Sequence, residues 1–331
     1  MSLFSVLLLH DFTLDSQYKC PEKRDEPAPR HVLGTYFIAS GGVLMILYIL
    51  CLKAMLSKEL RKVASYKIMI CLAIFDICSL FVNSLVTGFF GYQGLTYCDF
   101  PLFIFICGAH GFGCWLGCSM TCVTLALCRI ADLNPKLKLD QFFQGSFMRL
   151  LIGYFFLVVG YGTWFTKPVI FRLEYMSWFF DPGVGHDTDL YTNLYHTINN
   201  IAMALLTSLL YSVLCYSVFK KNHHSQMSSQ LLSTSQKQFC YQALVICVAH
   251  SLSSSVYVYM QFFYTPAWLI AAEQVGWQMC TGGICLVYLV FNKTIRTLVL
   301  KSLGLYEVLK NRVNNIVETS NTGNYHSATM F

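Results

Sequence analysis

The sequence predicts an all-α membrane protein, a bundle of seven transmembrane helices followed by a short amphipathic helix. Of its 331 residues, 55% are hydrophobic and only 12% are charged, which is too little charge to cover the surface of a soluble domain. Seven mostly apolar runs of about 20 or more residues are long enough to cross a bilayer as helices. Lysine and arginine are concentrated in alternate connecting segments, as is typical of a multi-span protein.

The seven predicted spans cover residues 33–56, 66–90, 102–128, 147–171, 191–219, 239–264 and 267–291. The third lies within Pro101–Pro135, and we expect it to be the central helix of the bundle. It carries small residues along much of its length, including Gly108, Gly113 and Gly117. Small residues let neighbouring backbones approach closely, as the middle of a bundle requires.

The basic residues predict the orientation of the chain. With the first loop placed inside, only six of the 23 lysines and arginines fall outside: Lys19, Lys23, Arg24, Arg30, Lys167 and Arg172. The chain then divides into an extracellular segment (1–32), a seven-span domain (33–292) and a cytoplasmic amphipathic helix and tail (293–331).

Anionic inner-leaflet lipids are the partners of the basic ends, and no nucleic-acid surface is indicated. We expect residues 10–31 to have little structure of their own.

The cysteines suggest one disulfide and no metal site. Among fifteen cysteines, only Cys20 and Cys98 fall on the predicted outer, oxidising side, where they form a disulfide or remain two free thiols. The other thirteen lie in the spans and behave as small apolar residues. Cys114, Cys118 and Cys122 share a helical face and could bind a soft metal. An apolar packing ridge explains these three cysteines better, so we predict no metal or cofactor.

Three features stand in the order found in rhodopsin-like seven-helix receptors. They are LAIFD ending at Asp76 in the second span, LCRI around Arg129 at the end of the third, and Tyr288 near the end of the seventh. In those receptors the corresponding residues form a polar core that rearranges on activation, and Asn83 lies on the same face as Asp76. One departure is Cys128, which replaces the acid that usually restrains the arginine.

The sequence resembles the nematode serpentine chemoreceptors, most closely class T. The similarity rests on QYKC, SYKIMICLAIFDICSLFVNSLVTGFFGY, TYCDFP, LALCRIADLNP, WFFDP and VYLVFNKTIR. It implies a chemosensory G-protein-coupled receptor for an unknown small ligand, in the plasma membrane and in sensory-neuron cilia. A glycine-proline element associated with the seventh span of that family is replaced here by Gly283-Ile284.

The polar residues of the outer halves predict a ligand pocket between the third, fifth, sixth and seventh spans. The candidates are His110, Trp115, His196, Asn199, Asn200, His250, Ser254, Tyr257, Gln261, Glu273 and Trp277. Each of them could instead form hydrogen bonds between helices. At the inner ends, the predicted G-protein contacts are Arg129, Lys220, Lys221 and Lys237.

Two other classes of protein fit parts of the sequence. A transporter or ligand-gated channel would show paired inverted repeats and a charged route through the membrane. The sequence instead has an odd number of spans and a single acid deep within them. A receptor-like protein that no longer signals is favoured by Cys128 and Ile284. Enzyme motifs such as Gly-x-Ser-x-Gly and His-Glu-x-x-His are absent from the sequence, so we predict no catalytic activity.

Overall fold

The computed structural model describes residues 1–22, 27–225 and 234–308. Within them, six helices are long and apolar enough to span a membrane, and a bent pair supplies the seventh span. The six are His31–Met55, Ala64–Gln93, Pro101–Leu133, Gly145–Phe165, Leu194–Ser225 and Thr234–Phe262. The pair comprises Ala267–Thr281 and Ile284–Phe291, which meet at 44°. The predicted seven-helix class is therefore confirmed.

The fourth span is shorter than predicted. It ends at Phe165 rather than at residue 171, because Pro168 lacks a backbone N–H and disfavours helical geometry at the residue before it. The chain then forms strand β1 (Ile170–Arg172), which pairs antiparallel with β2 (Ser177–Phe179). This hairpin covers the end of the bundle at which the first span begins, called here the N-terminal end.

The third span is the centre of the molecule, as predicted. Of its 33 residues 24 are buried, whereas only four of the 21 residues of the fourth span are. Gly113 makes close packing against the fourth span possible. A Cβ placed on Gly113 would lie 2.6 Å from the carbonyl oxygen of Val159 and 2.9 Å from the backbone nitrogen of Thr163. The absence of that carbon therefore sets the distance between these two helices.

The N-terminal segment is more ordered than predicted. Tyr18 is buried, and its ring packs edge-on against Phe105 at 5.2 Å. The Tyr97 hydroxyl donates to the Tyr18 carbonyl at 3.0 Å, and a disulfide joins Cys20 to Cys98. Burial raises the pKa of Tyr18, so its hydroxyl stays protonated in neutral solution. One anchoring aromatic and one cross-link thus hold this polar segment against the bundle.

A short helix follows the seventh span. It runs from Lys293 to Ser302, and the side chain of Asn292 caps it by accepting from the backbone N–H of Ile295 at 3.1 Å. Ile295 and Val299 are buried, which gives the helix one apolar face. Gly304 adopts a φ of +70° just beyond the helix, a conformation that glycine tolerates best. The predicted tail beyond residue 308 lies outside the described residues.

We predict opposite effects for two glycine substitutions. Gly113→Ala should lower the free energy of unfolding by about 1–3 kcal/mol, because the added methyl group overlaps the backbone of the fourth span. Gly153→Ala is the matched control, since a Cβ there has no neighbour within 4 Å. It should be neutral or stabilise the helix by about 0.5–1 kcal/mol. Thermal unfolding in detergent checks both, and equal effects would contradict the packing described.

Candidate functional site

A cavity of about 240 Å³ lies at the N-terminal end of the bundle. The third, fifth, sixth and seventh spans enclose it, and the β1–β2 hairpin and the residues after it cover it. Seven of its fifteen lining residues are Phe, Tyr or Trp, and its six polar residues include Asp181 and Asn193. Five of the residues predicted from the sequence line it: Trp115, His196, Tyr257, Gln261 and Trp277.

Trp115 connects the spans beneath this cavity. Its indole N–H donates to the side-chain oxygen of Asn200 on the fifth span at 2.9 Å. Its ring lies 5.7 Å from those of His250 and Tyr257 on the sixth span and 6.4 Å from that of Trp277 on the seventh. Three neighbouring spans therefore meet on one side chain of the central helix.

The amide of Asn200 also determines the protonation state of His196. Because its oxygen accepts from Trp115, its nitrogen is the donor to His196 Nε2, 2.9 Å away. The imidazole nitrogen that accepts this bond carries no proton, so His196 is neutral. Its ring packs 5.0 Å from Phe180 and 5.6 Å from Tyr257.

Some buried polar atoms of the sixth and seventh spans have no hydrogen-bond partner within the described residues. They are Trp277 Nε1, Ser254 Oγ and both ring nitrogens of His250. Trp277 also lines the cavity. Because an indole N–H left unbonded in an apolar site is unfavourable, Trp277 is suited to donate to an acceptor atom that enters the cavity.

Six of the eleven predicted pocket residues do not line the cavity, namely Asn200, His250, Ser254, His110, Asn199 and Glu273. The last three lie apart from Trp115. His110 precedes Trp115 by five residues, which places it about 140° around the helix and away from the cavity, and its Nε2 lies 3.6 Å from Cys114 Sγ. The amide nitrogen of Asn199 donates to Ser119 at 3.1 Å. Glu273 accepts from the hydroxyl of Ser253, between the sixth and seventh spans. These side chains connect helices and do not line the cavity.

Asp76 joins the first three spans. It is fully buried and accepts from the hydroxyl of Tyr48 on the first span at 2.5 Å and from the thiol of Cys118 on the third at 3.0 Å. The ring of Tyr288 packs edge-on against Tyr48 at 5.9 Å. The acid and the tyrosine predicted to form the polar core therefore meet through Tyr48, a residue that the sequence analysis did not select.

Asn83 belongs to a second polar network, between the second and seventh spans. Its amide nitrogen donates to Thr281 Oγ1 at 3.0 Å, and its backbone carbonyl accepts from Gln274 at 2.8 Å. Gln274 in turn accepts from Ser177 of strand β2 at 3.0 Å. The sequence analysis missed Gln274, Gln278 and Thr281, although their spacing of four and three residues marks one helical face.

Arg129 lies buried at the opposite end of the bundle. One of its terminal nitrogens is 3.2 Å from Asp132, one turn further along the helix, and its guanidinium lies 4.6 Å from the ring centre of Phe239 on the sixth span. Within the described residues, Nε and Nη2 of Arg129 have no partner. The acid that pairs with Arg129 is therefore Asp132, three residues after it, whereas position 128 holds a cysteine.

The other predicted coupling residues lie at the same end. Lys220 is exposed and lies over the ring of Tyr216 at 5.9 Å. Lys237 is half-buried at the start of the sixth span. The side chain of Lys221 lies outside the described residues. Two of the three lysines therefore lie at the same end of the bundle as the buried Arg129.

The fold matches a solved receptor structure. Squid rhodopsin aligns with a TM-score of 0.63 and 13% sequence identity, over 88% of this chain and 90% of that one. The architecture is therefore that of a rhodopsin-like seven-helix receptor.

Sequence comparison defines the family more narrowly. The model described as serpentine type 7TM GPCR chemoreceptor Srt matches residues 2–312. A Caenorhabditis elegans protein named Serpentine receptor class T-55 is 24% identical over 269 residues, which are 80% of this chain and 72% of that protein. The chain belongs to the Srt family of serpentine seven-transmembrane chemoreceptors, whose members are receptors and not enzymes.

We predict that Tyr48→Phe destabilises the bundle. The substitution removes a donor from the buried carboxyl of Asp76, which should lower the free energy of unfolding by about 1–3 kcal/mol. Tyr36→Phe, at an exposed site on the same span, should change it by less than about 0.5 kcal/mol. Denaturation of purified protein in detergent measures both values. If the two variants unfold alike, Asp76 does not depend on Tyr48.

Proposed function

We propose that this chain is a chemosensory receptor that binds a small molecule in the cavity at its N-terminal end and activates a heterotrimeric G protein at the opposite end. In this proposal residues 1–32 are extracellular, residues 33–292 form the receptor domain and residues 293–331 are cytoplasmic. The excess of basic residues at the Arg129 end supports this orientation in the plasma membrane. The family supports a receptor role, and a location in sensory cilia is part of the proposal.

The position of Trp115 is the observation that carries the proposal. A molecule in the cavity touches an indole that also contacts Asn200, His250 and Trp277 on three other spans. A ligand shifts an equilibrium between two receptor states only if it binds them with different affinities. Any movement of the fifth, sixth or seventh span changes the surroundings of Trp115, so the two states present different binding sites.

The cavity also indicates the chemistry of the ligand. At about 240 Å³ it is smaller than the sites of about 300–1,000 Å³ that hold drug-sized molecules. Its aromatic wall favours an apolar body, and the unpaired indole N–H of Trp277 favours one acceptor atom. We therefore infer a small, mostly apolar ligand with a carbonyl, ester or ether oxygen.

Coupling would proceed through Arg129. In the present state its guanidinium is held by Asp132 and covered by Phe239 of the sixth span. Displacement of the sixth span would remove Phe239 and expose Arg129 to a G protein, beside Lys220, Lys221 and Lys237. Because Asp132 takes the restraining role, the cysteine at position 128 no longer favours a receptor that cannot signal. The described residues offer no observation that favours a transporter or channel.

We predict that Trp277→Phe weakens the response to carbonyl compounds. Cells that express the chain would be screened with volatile and water-soluble compounds by calcium readout. The variant keeps the aromatic ring but removes the donor, so the concentration for half-maximal response should rise about tenfold, as expected for a hydrogen bond of about 1.4 kcal/mol. Trp164→Phe, on the exposed side of the fourth span, is the control. Equal potency for both variants would refute the ligand site.

We predict opposite effects on signalling for substitutions of Arg129 and Asp132. Arg129→Ala should abolish G-protein activation while surface expression is retained, because the group proposed to meet the G protein is lost. Asp132→Asn should raise ligand-independent activity several-fold, because a buried arginine loses its ionic restraint. Asp140→Asn is the control, since that exposed carboxylate accepts from the amide of Gln144 and lies away from Arg129 in sequence. Unchanged basal activity in Asp132→Asn would show that the ion pair does not hold the inactive state.

A further inference from the structure

Three metal-binding side chains meet on the side of the third span that faces away from the cavity. They are Cys78 from the second span and His110 and Cys114 from the third. Their ligand atoms all lie within 4.8 Å of one another, and His110 Nε2 lies 3.6 Å from Cys114 Sγ. The proposed ligand binding and G-protein coupling use none of these residues. We propose that they form a zinc site that joins the second and third spans.

The geometry is close to that of bound zinc. Zn–S bonds of about 2.3 Å and Zn–N bonds of about 2.0–2.1 Å in a tetrahedron place two sulfurs about 3.8 Å apart and sulfur and nitrogen about 3.6 Å apart. The distance from His110 to Cys114 already has the second value. The other two pairs, within 4.8 Å, need to close by about 1.2 Å or less, which side-chain rotation supplies.

The charge balance selects zinc among the metals. Two thiolates and a neutral imidazole carry a charge of −2, so Zn²⁺ gives a site with no net charge. Neutrality matters because an uncompensated charge within the bilayer is costly. Cu⁺, which also prefers sulfur, would leave one negative charge, and Mg²⁺ and Ca²⁺ prefer oxygen ligands. Binding releases two thiol protons to solvent and leaves the fourth position for water or another small donor.

The site lies next to the polar core. Cys114 precedes Cys118, which donates to Asp76, by one helical turn, and Cys78 follows Asp76 by two residues. Cys78 and His110 are half-buried whereas Cys114 is buried. A zinc ion would fix the second span against the third beside Asp76. The inference departs from the sequence analysis, which predicted no metal.

The test uses Co²⁺ as a spectroscopic probe on the purified full-length protein in lipid nanodiscs, handled without oxygen so that the free thiols stay reduced while the Cys20–Cys98 disulfide stays intact. The wild type should show a thiolate-to-cobalt charge-transfer band with a stoichiometry of one, which Zn²⁺ abolishes by competition. Cys78→Ser and Cys114→Ser should lose the band. His110→Gln should weaken Co²⁺ binding by at least about tenfold, since even partners of metal ligands contribute 10–100-fold.

Cys122→Ser provides the matched control. Cys122 is a buried thiol on the same helix, and its sulfur lies 3.9 Å from that of Cys247, so this variant should keep the band. Zn²⁺ should also raise the melting temperature of the wild type and of Cys122→Ser but not of Cys78→Ser, while all three melt alike without metal. A wild type without the band, or a band that survives in both Cys78→Ser and Cys114→Ser, would overturn the proposal.

Discussion

The structure depends on one constraint: every polar group placed at membrane depth needs a partner inside the bundle, because lipid offers none. The partners of Asp76 are Tyr48 and Cys118, and their hydrogen bonds connect the first three spans. The partners of Asn83 are Thr281 and Gln274, and their hydrogen bonds connect the second span to the seventh. The residues that would be unfavourable alone in lipid are therefore the ones that determine how the helices are arranged.

Two of the buried polar atoms that lack a partner within the described residues lie where the proposed function places its two sites: Trp277 Nε1 beside the cavity and Nη2 of Arg129 at the far end. Between them, the central helix carries Trp115, whose contacts include the fifth, sixth and seventh spans. In the proposed function, binding at one end and exposure of Arg129 at the other involve the same spans, which is the minimum that coupling between two sites requires.

The sequence predicted the features that follow from composition and length, namely seven spans, a central third helix and a short amphipathic helix after the last. It did not predict which face of a span meets which neighbour. His110 is polar and close in sequence to Trp115, yet helical rotation turns it towards the second span. Asp132 was overlooked because the usual restraint precedes the arginine, whereas the helix also brings a residue three positions later within reach.

The order of the N-terminal segment was missed for a different reason. Its composition is polar, and only tertiary contacts with Tyr97 and Phe105 show that Tyr18 is an anchor. A rule based on local composition cannot detect a partner that lies some 80 residues further along the chain.

The seventh span of this receptor bends without a proline at the bend. Ala267–Thr281 and Ile284–Phe291 meet at 44° around Gly282 and Gly283, and a methyl group on Gly282 would lie 2.8 Å from Leu80 and one on Gly283 would press on the carbonyl of Met279. The bend therefore lies at two residues, and neither position has room for a larger side chain. The path of the seventh span therefore depends on two residues that line neither the cavity nor the end that carries Arg129.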